Sequence, residues 1–202
     1  IEIIKPLVSK AFYEFKKPQN INDKFCFLIS GGSQGAKIFD NLIKDAIIKI
    51  SKNFSIKIVQ QTSEDNVENL KKFYTSQKID NKIFSFEENF FNLIGISDLC
   101  ITRAGATSLA EISFLNKPFI AIPLPTAKDN HQMKNAEYYK EKGCCWILNQ
   151  KNLDKDKLSN FLIDIINKKS DLIEKKLNLE KINNKTSWND INQKLKKIIN
   201  EN

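Results

Sequence analysis

Short runs of consecutive apolar residues alternate along the chain with longer segments in which apolar residues recur every three or four positions. The first run, from Phe25 to Ile29, contains no polar residue, which is typical of a parallel strand that is buried on both faces. In the following segment the apolar residues between Phe39 and Ile50 recur at helical spacing and predict an amphipathic helix. The core of the fold is therefore predicted to begin with a strand, a glycine-rich turn and a helix.

The same alternation continues as far as residue 148, and we predict five further strands separated by helices. The predicted strands lie at 56–59, 82–86, 99–101, 119–122 and 145–148, and the helices near 64–73, 90–96, 110–115 and 131–142. Six strands that alternate with helices predict an α/β fold with a doubly wound, parallel, Rossmann-like sheet. Beyond Asp154 the pattern is purely helical, so extra C-terminal helices should follow the sheet.

This pattern divides the chain into three parts. Residues 1–22 mix prolines, lysines and aromatic residues and are interpreted as a connector that enters from a domain upstream. Residues 23–185 form the predicted sheet domain. Residues 186–202 form a last helix, whose face with Trp188, Ile191 and Leu195 needs a partner surface.

The net charge of +8 comes from dispersed lysines and a single arginine, Arg103. Dispersed lysines are typical of solvated helix faces, so we expect no nucleic-acid partner, although attraction to an anionic membrane surface stays open. No run approaches the roughly 20 apolar residues of a membrane span, and no signal pattern opens the chain, so we expect a soluble intracellular protein. Four cysteines without a C-x-x-C pair, and His131 alone as imidazole, predict reduced core thiols and no metal site.

The loop after the first strand reads GGSQG at 31–35. In an open α/β sheet, ligands bind beyond the carboxyl ends of the strands. Glycines let backbone amides approach an anion, and the start of a helix favours negative charge, so a diphosphate suits this loop. The spacing fits neither a P-loop nor a dinucleotide fingerprint, and Gln60-Gln61 replaces a ribose-binding carboxylate, which disfavours NAD. The alternative is a tight turn in which the glycines serve backbone geometry alone.

The loop after the fourth strand, TRAGATSLAE at 102–111, contains two charged residues. Arg103 can pair with phosphate, and Glu111 can accept hydrogen bonds from both hydroxyls of a ribose. Ser108 and Glu111 also have the spacing of a capping box, in which Glu111 would satisfy backbone amides at the helix start. Ligand binding and helix capping are both open from the spacing.

Two further loops contain candidate ligand groups. After the fifth strand, the amides of Gln132 and Asn135 suit the hydroxyls of a neutral sugar, although Asp129 and Gln132 also match a capping pattern. After the third strand, Phe86 could stack on a flat base, or it could be a buried aromatic at a strand end.

Four motifs, GGSQGA, SFEENF, TRAGATSLAE and DNHQMKNA, follow one another in this order between Lys24 and Gln150, and together they resemble the MurG family of GT-B glycosyltransferases. Members of that family move N-acetylglucosamine from UDP-N-acetylglucosamine to a lipid-linked muramyl-pentapeptide, which turns lipid I into lipid II during peptidoglycan synthesis. The resemblance implies that this chain is the C-terminal, donor-binding half of an inverting enzyme. It also implies a cytoplasmic protein, peripheral on the inner face of the cell membrane.

By the same resemblance, a set of residues is expected to contact the donor. They are Gly32, Ser33, Gln34, Phe86, Glu87, Arg103, Ala106, Thr107, Ser108, Leu109, Glu111, Gln132 and Asn135. Residues 32–34 would face the diphosphate and sugar, Phe86 and the backbone of Glu87 the uracil, and residues 106–109 the nucleotide. Glu111 would hold the ribose hydroxyls. Gln132, with Asn135 beside it, would hold the N-acetylglucosamine.

Arg103 would offset charge near the leaving diphosphate, so the resemblance implies no metal and no cofactor besides the donor substrate. The general base and acceptor loops of the family belong to its N-terminal half, so we expect no catalytic residue in this chain. The final helix would pack on that missing half. Lys10 stands near the place where members often have an arginine, and whether it replaces that arginine is open.

Two alternatives concern function. A related GT-B protein with another acceptor, such as a glycolipid synthase or a sugar-nucleotide epimerase, would share this donor half. A non-catalytic UDP-sugar-binding subunit that needs a partner chain would do so as well.

Overall fold

A computed structural model of the chain describes residues 8–15, 23–31, 36–183 and 188–200, without the side chains of 36–39 and 188–191. The described residues form one parallel six-stranded sheet with the order β3-β2-β1-β4-β5-β6. Its strands are β1 (Phe25–Ser30), β2 (Ile56–Gln61), β3 (Asp80–Phe84), β4 (Leu99–Thr102), β5 (Phe119–Ala121) and β6 (Cys145–Ile147). The predicted doubly wound α/β fold is confirmed.

Helices connect the strands and continue after the last of them. They are α1 (Lys10–Glu14), α2 (Ala36–Ser51), α3 (Val67–Ser76), α4 (Phe90–Ile96), α5 (Ala106–Phe114), α6 (His131–Glu141), α7 (Lys155–Asn167), α8 (Lys169–Asn183) and α9 (Trp188–Asn200). Short 3-10 turns at Glu64–Asn66, Lys128–Asn130 and Gln150–Asn152 precede α3, α6 and α7. Across the described ranges, no helix is both long enough and apolar enough to span a membrane.

The predicted third strand is wrong by two residues, since 82–86 was expected and β3 ends at Phe84. β3 lies at the edge of the sheet, where only one neighbour pairs with it, so its first residues are polar and partly exposed. The apolar pattern therefore misses the start of β3, and it wrongly includes Phe86, which lies in the loop after the strand.

The core lies on both faces of the sheet. Alternate residues of β1 point to opposite faces, with Phe27 and Ile29 packing under α2, α3 and α7, and Cys26 and Leu28 under the helices of the other face. β1 is paired with β2 on one side and β4 on the other. This double burial explains why its sequence has no polar alternation.

The four cysteines are free and buried, as predicted. Burial raises the pKa of Cys26 and of Cys145 to about 12, and that of Cys100 to about 11. A thiol with so high a pKa carries almost no thiolate at neutral pH. These side chains therefore act as small apolar groups of the core.

The described part of the predicted connector packs on the sheet domain. Phe12 in α1 is buried, and its ring contacts those of Phe91 in α4 and Phe114 in α5. The division of the chain at 22/23 and 185/186 stays a prediction. At the other end, Ile199 of α9 is 70% exposed, while the side chains of Trp188 and Ile191 lie outside the described residues.

Candidate functional site

The carboxyl ends of the strands meet at one edge of the sheet. Ser30 at the end of β1 is in register with Gln61 of β2 and Thr102 of β4, and Thr102 is in register with Ala121 of β5. The loops with the motifs after β3, β4 and β5 therefore leave from this edge. Residues 32–35, and with them Gly32, Ser33 and Gln34, lie outside the described residues, but the ends of β1 and α2 that flank them lie at the same edge.

Hydrogen bonds join successive loops along this edge. The Ser30 hydroxyl donates to Oε1 of Gln61 at 2.8 Å, and Nε2 of Gln61 donates to the Ser85 carbonyl at 3.2 Å. On the other side of β1, the backbone N–H of Arg103 donates to the Ser30 carbonyl at 3.3 Å. The beginnings of three motif loops are thereby linked through the end of β1.

The capping alternative for Glu111 is wrong. α5 begins at Ala106 after Gly105, and no described side chain caps it, so Ser108 is its third residue and Glu111 its sixth. The Glu111 carboxylate is half-buried, and within the described part of the chain it forms no hydrogen bond or ion pair. Burial raises the pKa of Glu111 because desolvation disfavours the charged form.

The four residues expected to line a nucleotide have different environments. Ala106 and Thr107, in the first turn of α5, are exposed, and Ser108 is half-buried. The Leu109 side chain is fully buried in the core, and its backbone N–H donates to the Gly105 carbonyl. The Leu109 side chain is therefore directed toward the sheet, and contact of residues 106–109 with a nucleotide stays a prediction.

Arg103 is buried, and its contacts hold two neighbouring strand ends together. Its Nη1 donates to the Ile122 carbonyl at 3.0 Å and to Oε1 of Gln150 at 2.6 Å. Burial lowers the pKa of Arg103, although a guanidinium remains charged at neutral pH. These bonds link the ends of β4 and β5 to the turn after β6. Contact of Arg103 with a diphosphate stays a prediction.

The loop before α6 contains two residues with left-handed backbone angles. Asp129 and Asn130 both have left-handed backbone angles, with φ of 52° and 54°, and α6 begins at His131 without a side-chain cap among the described residues. The capping alternative for Asp129 and Gln132 is therefore wrong. Oε1 of Gln132 instead accepts the backbone N–H of Leu124 at 2.9 Å, and no acceptor among the described residues bonds its Nε2 group.

Asn135 connects α6 to the loop after β4. Its Nδ2 donates to the Ala104 carbonyl at 3.0 Å, and its side chain is half-buried. The structure thus brings the amide loop and the TRAGATSLAE loop into direct contact. A role of Asn135 in binding a sugar stays a prediction.

Phe86 is 80% exposed, so its alternative as a buried aromatic is wrong. The next residue, Glu87, is held by two groups, because its Oε2 lies 2.6 Å from Nζ of Lys82 and its Oε1 accepts the Asn89 N–H at 3.3 Å. The Lys82 hydrogen bond, followed by that of Asn89, lowers the pKa of Glu87. The loop therefore presents an exposed aromatic ring on an anchored backbone.

The sequence analysis missed a buried carboxylate beside this edge. Asp40 of α2 is 4% exposed and accepts hydrogen bonds from Gln60 Nε2 at 2.9 Å, Thr62 Oγ1 at 2.6 Å and Asn66 Nδ2 at 2.7 Å. The Tyr74 hydroxyl donates to Oε1 of the same Gln60 at 2.9 Å. A signal was present, since Asp40 precedes Ile43, Ile47 and Ile50 at helical spacing on the buried face of α2.

The remaining predictions concern Lys10 and metal binding. Nζ of Lys10 lies 3.4 Å from Oε1 of Glu14, and both side chains are exposed on α1. The role of Lys10 as a substitute for an arginine stays a prediction. Within the residues that the structure describes, no group of three or more His, Cys, Asp or Glu side chains is placed to hold a metal ion.

The chain is similar to known proteins over most of its length. The glycosyltransferase family 28 C-terminal domain matches residues 26–195. The UDP-N-acetylglucosamine--N-acetylmuramyl-(pentapeptide) pyrophosphoryl-undecaprenol N-acetylglucosamine transferase of Pelagibacter ubique (strain HTCC1062) is 48% identical over 202 residues, which are 100% of this chain and 57% of that protein. The protein of the same name from Rickettsia bellii (strain RML369-C) is 35% identical over 154 residues, which are 74% of this chain and 43% of the relative.

The fold is also that of a solved glycosyltransferase structure. The crystal structure of Acinetobacter baumannii MurG superposes with a TM-score of 0.72 at 23% identity and covers 84% of this chain and 48% of that one. The chain spans about half the length of the curated relatives that it matches. The resemblance inferred from the four motifs is confirmed at the level of the family. The chain therefore belongs to glycosyltransferase family 28 and comprises the C-terminal domain of that family.

Proposed function

We propose that this chain is the UDP-N-acetylglucosamine-binding half of an inverting glycosyltransferase that acts in peptidoglycan synthesis. The complete enzyme transfers N-acetylglucosamine to a lipid-linked muramyl-pentapeptide, turning lipid I into lipid II. The names of the Pelagibacter and Rickettsia relatives support this substrate pair. The chain aligns with only 57% of the Pelagibacter relative. The acceptor site is therefore assigned to the part of the enzyme outside this chain.

The observation that supports donor binding most directly is the environment of the Glu111 carboxylate. Its carboxylate is half-buried and has no described partner, although burying a charged group without compensation is unfavourable. Two adjacent hydroxyls of a ribose can donate to the two oxygens of one carboxylate and supply that compensation. Glu111 is therefore assigned to the ribose.

The other parts of the donor fit the neighbouring loops. The exposed Phe86 ring offers a face for the uracil, with the backbone of Glu87 beside it. Gln132, fixed through its Oε1, offers Nε2 to a sugar hydroxyl, and Asn135 lies in the same loop cluster. Side-chain amides both donate and accept hydrogen bonds, which suits the hydroxyls of a neutral N-acetylhexosamine.

The diphosphate is assigned to the glycine loop at 32–35 and to the uncapped first turn of α5. Backbone N–H groups at a helix start, together with the helix dipole, stabilise the charge that grows on UDP when it leaves the sugar. Buried Arg103 contributes positive charge at the carboxyl edge of the sheet. Since these groups supply the stabilisation, the proposal includes neither a metal nor a cofactor, and we expect EDTA to leave UDP affinity unchanged.

By itself the chain should bind donor and transfer little sugar. Inversion requires an acceptor oxygen to attack the anomeric carbon from the side opposite to UDP, and the general base for that oxygen is assigned to the N-terminal half. We also propose that the enzyme lies in the cytoplasm, peripheral on the inner face of the cell membrane. The net charge of +8 supports attraction to anionic lipids. Binding of the chain to vesicles with and without phosphatidylglycerol, at increasing salt, tests this part.

Calorimetric titration with UDP-N-acetylglucosamine, UDP-glucose, ADP-ribose and NAD tests the donor assignment. We expect the first ligand to bind most tightly and NAD not to bind. Glu111→Ala should weaken UDP binding by roughly 1–3 kcal/mol through the loss of charge-assisted hydrogen bonds. Glu174→Ala, which removes an exposed carboxylate on α8, is the matched control. Unchanged UDP affinity in the Glu111 variant would contradict the assignment.

A further inference from the structure

We propose that Gln61 is a positioning residue for the nucleotide base, because it fixes the loop that presents Phe86. This inference rests on the proposed function, since it concerns the same site. Gln61 is the last residue of β2, and its side chain lies between the ends of β1 and β3. It is not expected to touch the donor.

The two hydrogen bonds of Gln61 use both ends of its amide. Oε1 accepts from the hydroxyl of Ser30, which is itself buried, and Nε2 donates to the carbonyl of Ser85. Few side chains can do both, since a carboxylate only accepts and an ammonium only donates. The end of β1, which is held in the centre of the sheet, is thereby connected to a loop beyond its edge strand.

The bond to Ser85 acts directly on Phe86. The carbonyl of Ser85 and the N–H of Phe86 belong to one planar peptide unit, so fixing the carbonyl oxygen fixes the direction in which the chain enters Phe86. On the other side, the Glu87 carboxylate is held by Lys82 and by the Asn89 N–H. Phe86 therefore lies between two anchored points while its own ring remains exposed.

An exposed ring gains little from being held in one place unless a ligand uses it. Holding the ring before binding lowers the entropy that is lost when a base stacks on it, so the anchored loop should bind the base more tightly than a free one. The adjacent residue shows the contrast. Gln60 points to the opposite face of the sheet and hydrogen-bonds Asp40 and Tyr74 in the core.

This arrangement predicts that losing the Gln61 hydrogen bonds weakens binding of the base and leaves binding of the diphosphate unchanged. Gln61→Met keeps the length of the side chain and removes both bonds. Gln61→Glu keeps an acceptor for Ser30 and loses the donor to Ser85. Tyr74→Phe, which removes a buried hydroxyl that bonds Gln60 on the other face, is the control for a purely structural change.

The experiment measures the affinity of the 202-residue chain and its variants for uridine, UDP and inorganic diphosphate by calorimetry, with the melting temperature of each. For each Gln61 variant we expect the affinity for uridine to fall about 3- to 10-fold, and the affinity for UDP to fall by the same factor as that for uridine. The affinity for inorganic diphosphate should not change. Backbone amides 86–89 should also exchange hydrogen faster in these variants without ligand. Tyr74→Phe should lower the melting temperature and change neither readout.

Unchanged uridine affinity and unchanged exchange at 86–89 in the Gln61 variants would overturn the inference and leave Gln61 with a structural role only. An equal loss for inorganic diphosphate would overturn it as well, because the effect would not be specific to the base. If the wild-type chain binds neither uridine nor UDP, the proposed function fails first. If the wild-type chain does bind uridine and UDP, a negative result in the variants counts only against the role inferred for Gln61.

Discussion

The ring of Phe15 lies so close to Gly95 that a β-carbon at position 95 would overlap the Cζ of Phe15. Gly95 is buried in α4, and Phe15 follows α1, so this contact brings the connector against the sheet domain. The ring of Phe15 also contacts that of Phe91 in the same helix. A side chain at position 95 would therefore have to displace the ring of Phe15.

The first prediction is a reversal of sign at Gly95. In a helix interior, alanine is more favourable than glycine by about 1 kcal/mol. Because of Phe15, however, Gly95→Ala should lower the free energy of unfolding by about 1–3 kcal/mol through overpacking. In a Phe15→Ala background the same substitution should be neutral or stabilising. Urea unfolding of the four chains gives the coupling energy, and equal effects in both backgrounds would contradict the contact.

The second prediction concerns the buried carboxylate of Asp40. Asp40→Ala leaves the donors of Gln60, Thr62 and Asn66 without their acceptor, so we expect a loss of about 2–4 kcal/mol in the free energy of unfolding. Urea denaturation followed by circular dichroism measures it. Asp45→Ala, on the exposed face of the same helix, should change the free energy by no more than about 0.5 kcal/mol. Comparable losses in both variants would refute a special role for the network.

A third prediction is the pH dependence of uridine binding. Burial places the pKa of Glu111 above its ordinary value of 4.5, and the ionised form is the better acceptor for ribose hydroxyls. Uridine has no phosphate, so its affinity should fall as the pH drops from neutrality through the raised pKa of Glu111. Affinities measured by calorimetry between pH 8 and pH 4.5 check this. Glu111→Gln should bind weakly and without this pH dependence.

The same shift has the opposite sign for the stability of the free chain. Since the folded pKa of Glu111 is raised, its contribution to stability is fully present below the ordinary pKa and is lost as the pH rises through the raised value. Glu111→Gln should remove this loss. Unfolding free energies of the two chains should therefore diverge as the pH rises above 4.5.

A fourth prediction follows from the buried cysteines. With their pKa values raised by burial, the native chain should not react with a chromogenic disulfide reagent at pH 8, and unfolding in guanidinium chloride should expose all four thiols. Ser170→Cys, at an exposed position of α8, should add one thiol that reacts in the native state. Rapid native reaction of Cys26 or Cys100 would show that the core opens more readily than the packing indicates.

Much of the fold could be predicted because buried parallel strands have a strong sequence signal. β1 is apolar from Phe25 to Ile29 since both of its faces are covered, and all six strands lie within two residues of their predicted bounds, with β3 displaced by two at both ends. The edge strand β3 was misplaced because only part of it is buried. Both capping alternatives failed for a related reason, since spacing alone does not fix where a helix begins, and α5 and α6 begin after Gly105 and Asn130.

The site was predictable in position and less so in its contacts. The motif loops lie where the strand order predicts them, at the carboxyl edge of the sheet. What the sequence could not reveal is which polar groups satisfy one another, because such pairs join distant parts of the chain. Arg103 bonds Gln150, and Gln61 bonds Ser85, and neither pair has a signal in the spacing of its residues.

The packing of α7 on α2 has a consequence for synthesis on the ribosome. Lys49 of α2 and Asp156 of α7 are 107 positions apart, and the part of α2 that packs on α7 is covered only after α7 has been made. At 5–20 residues per second, this interval lasts about 5–20 s. During that time the nascent chain exposes the apolar surface that α7 covers in the folded domain.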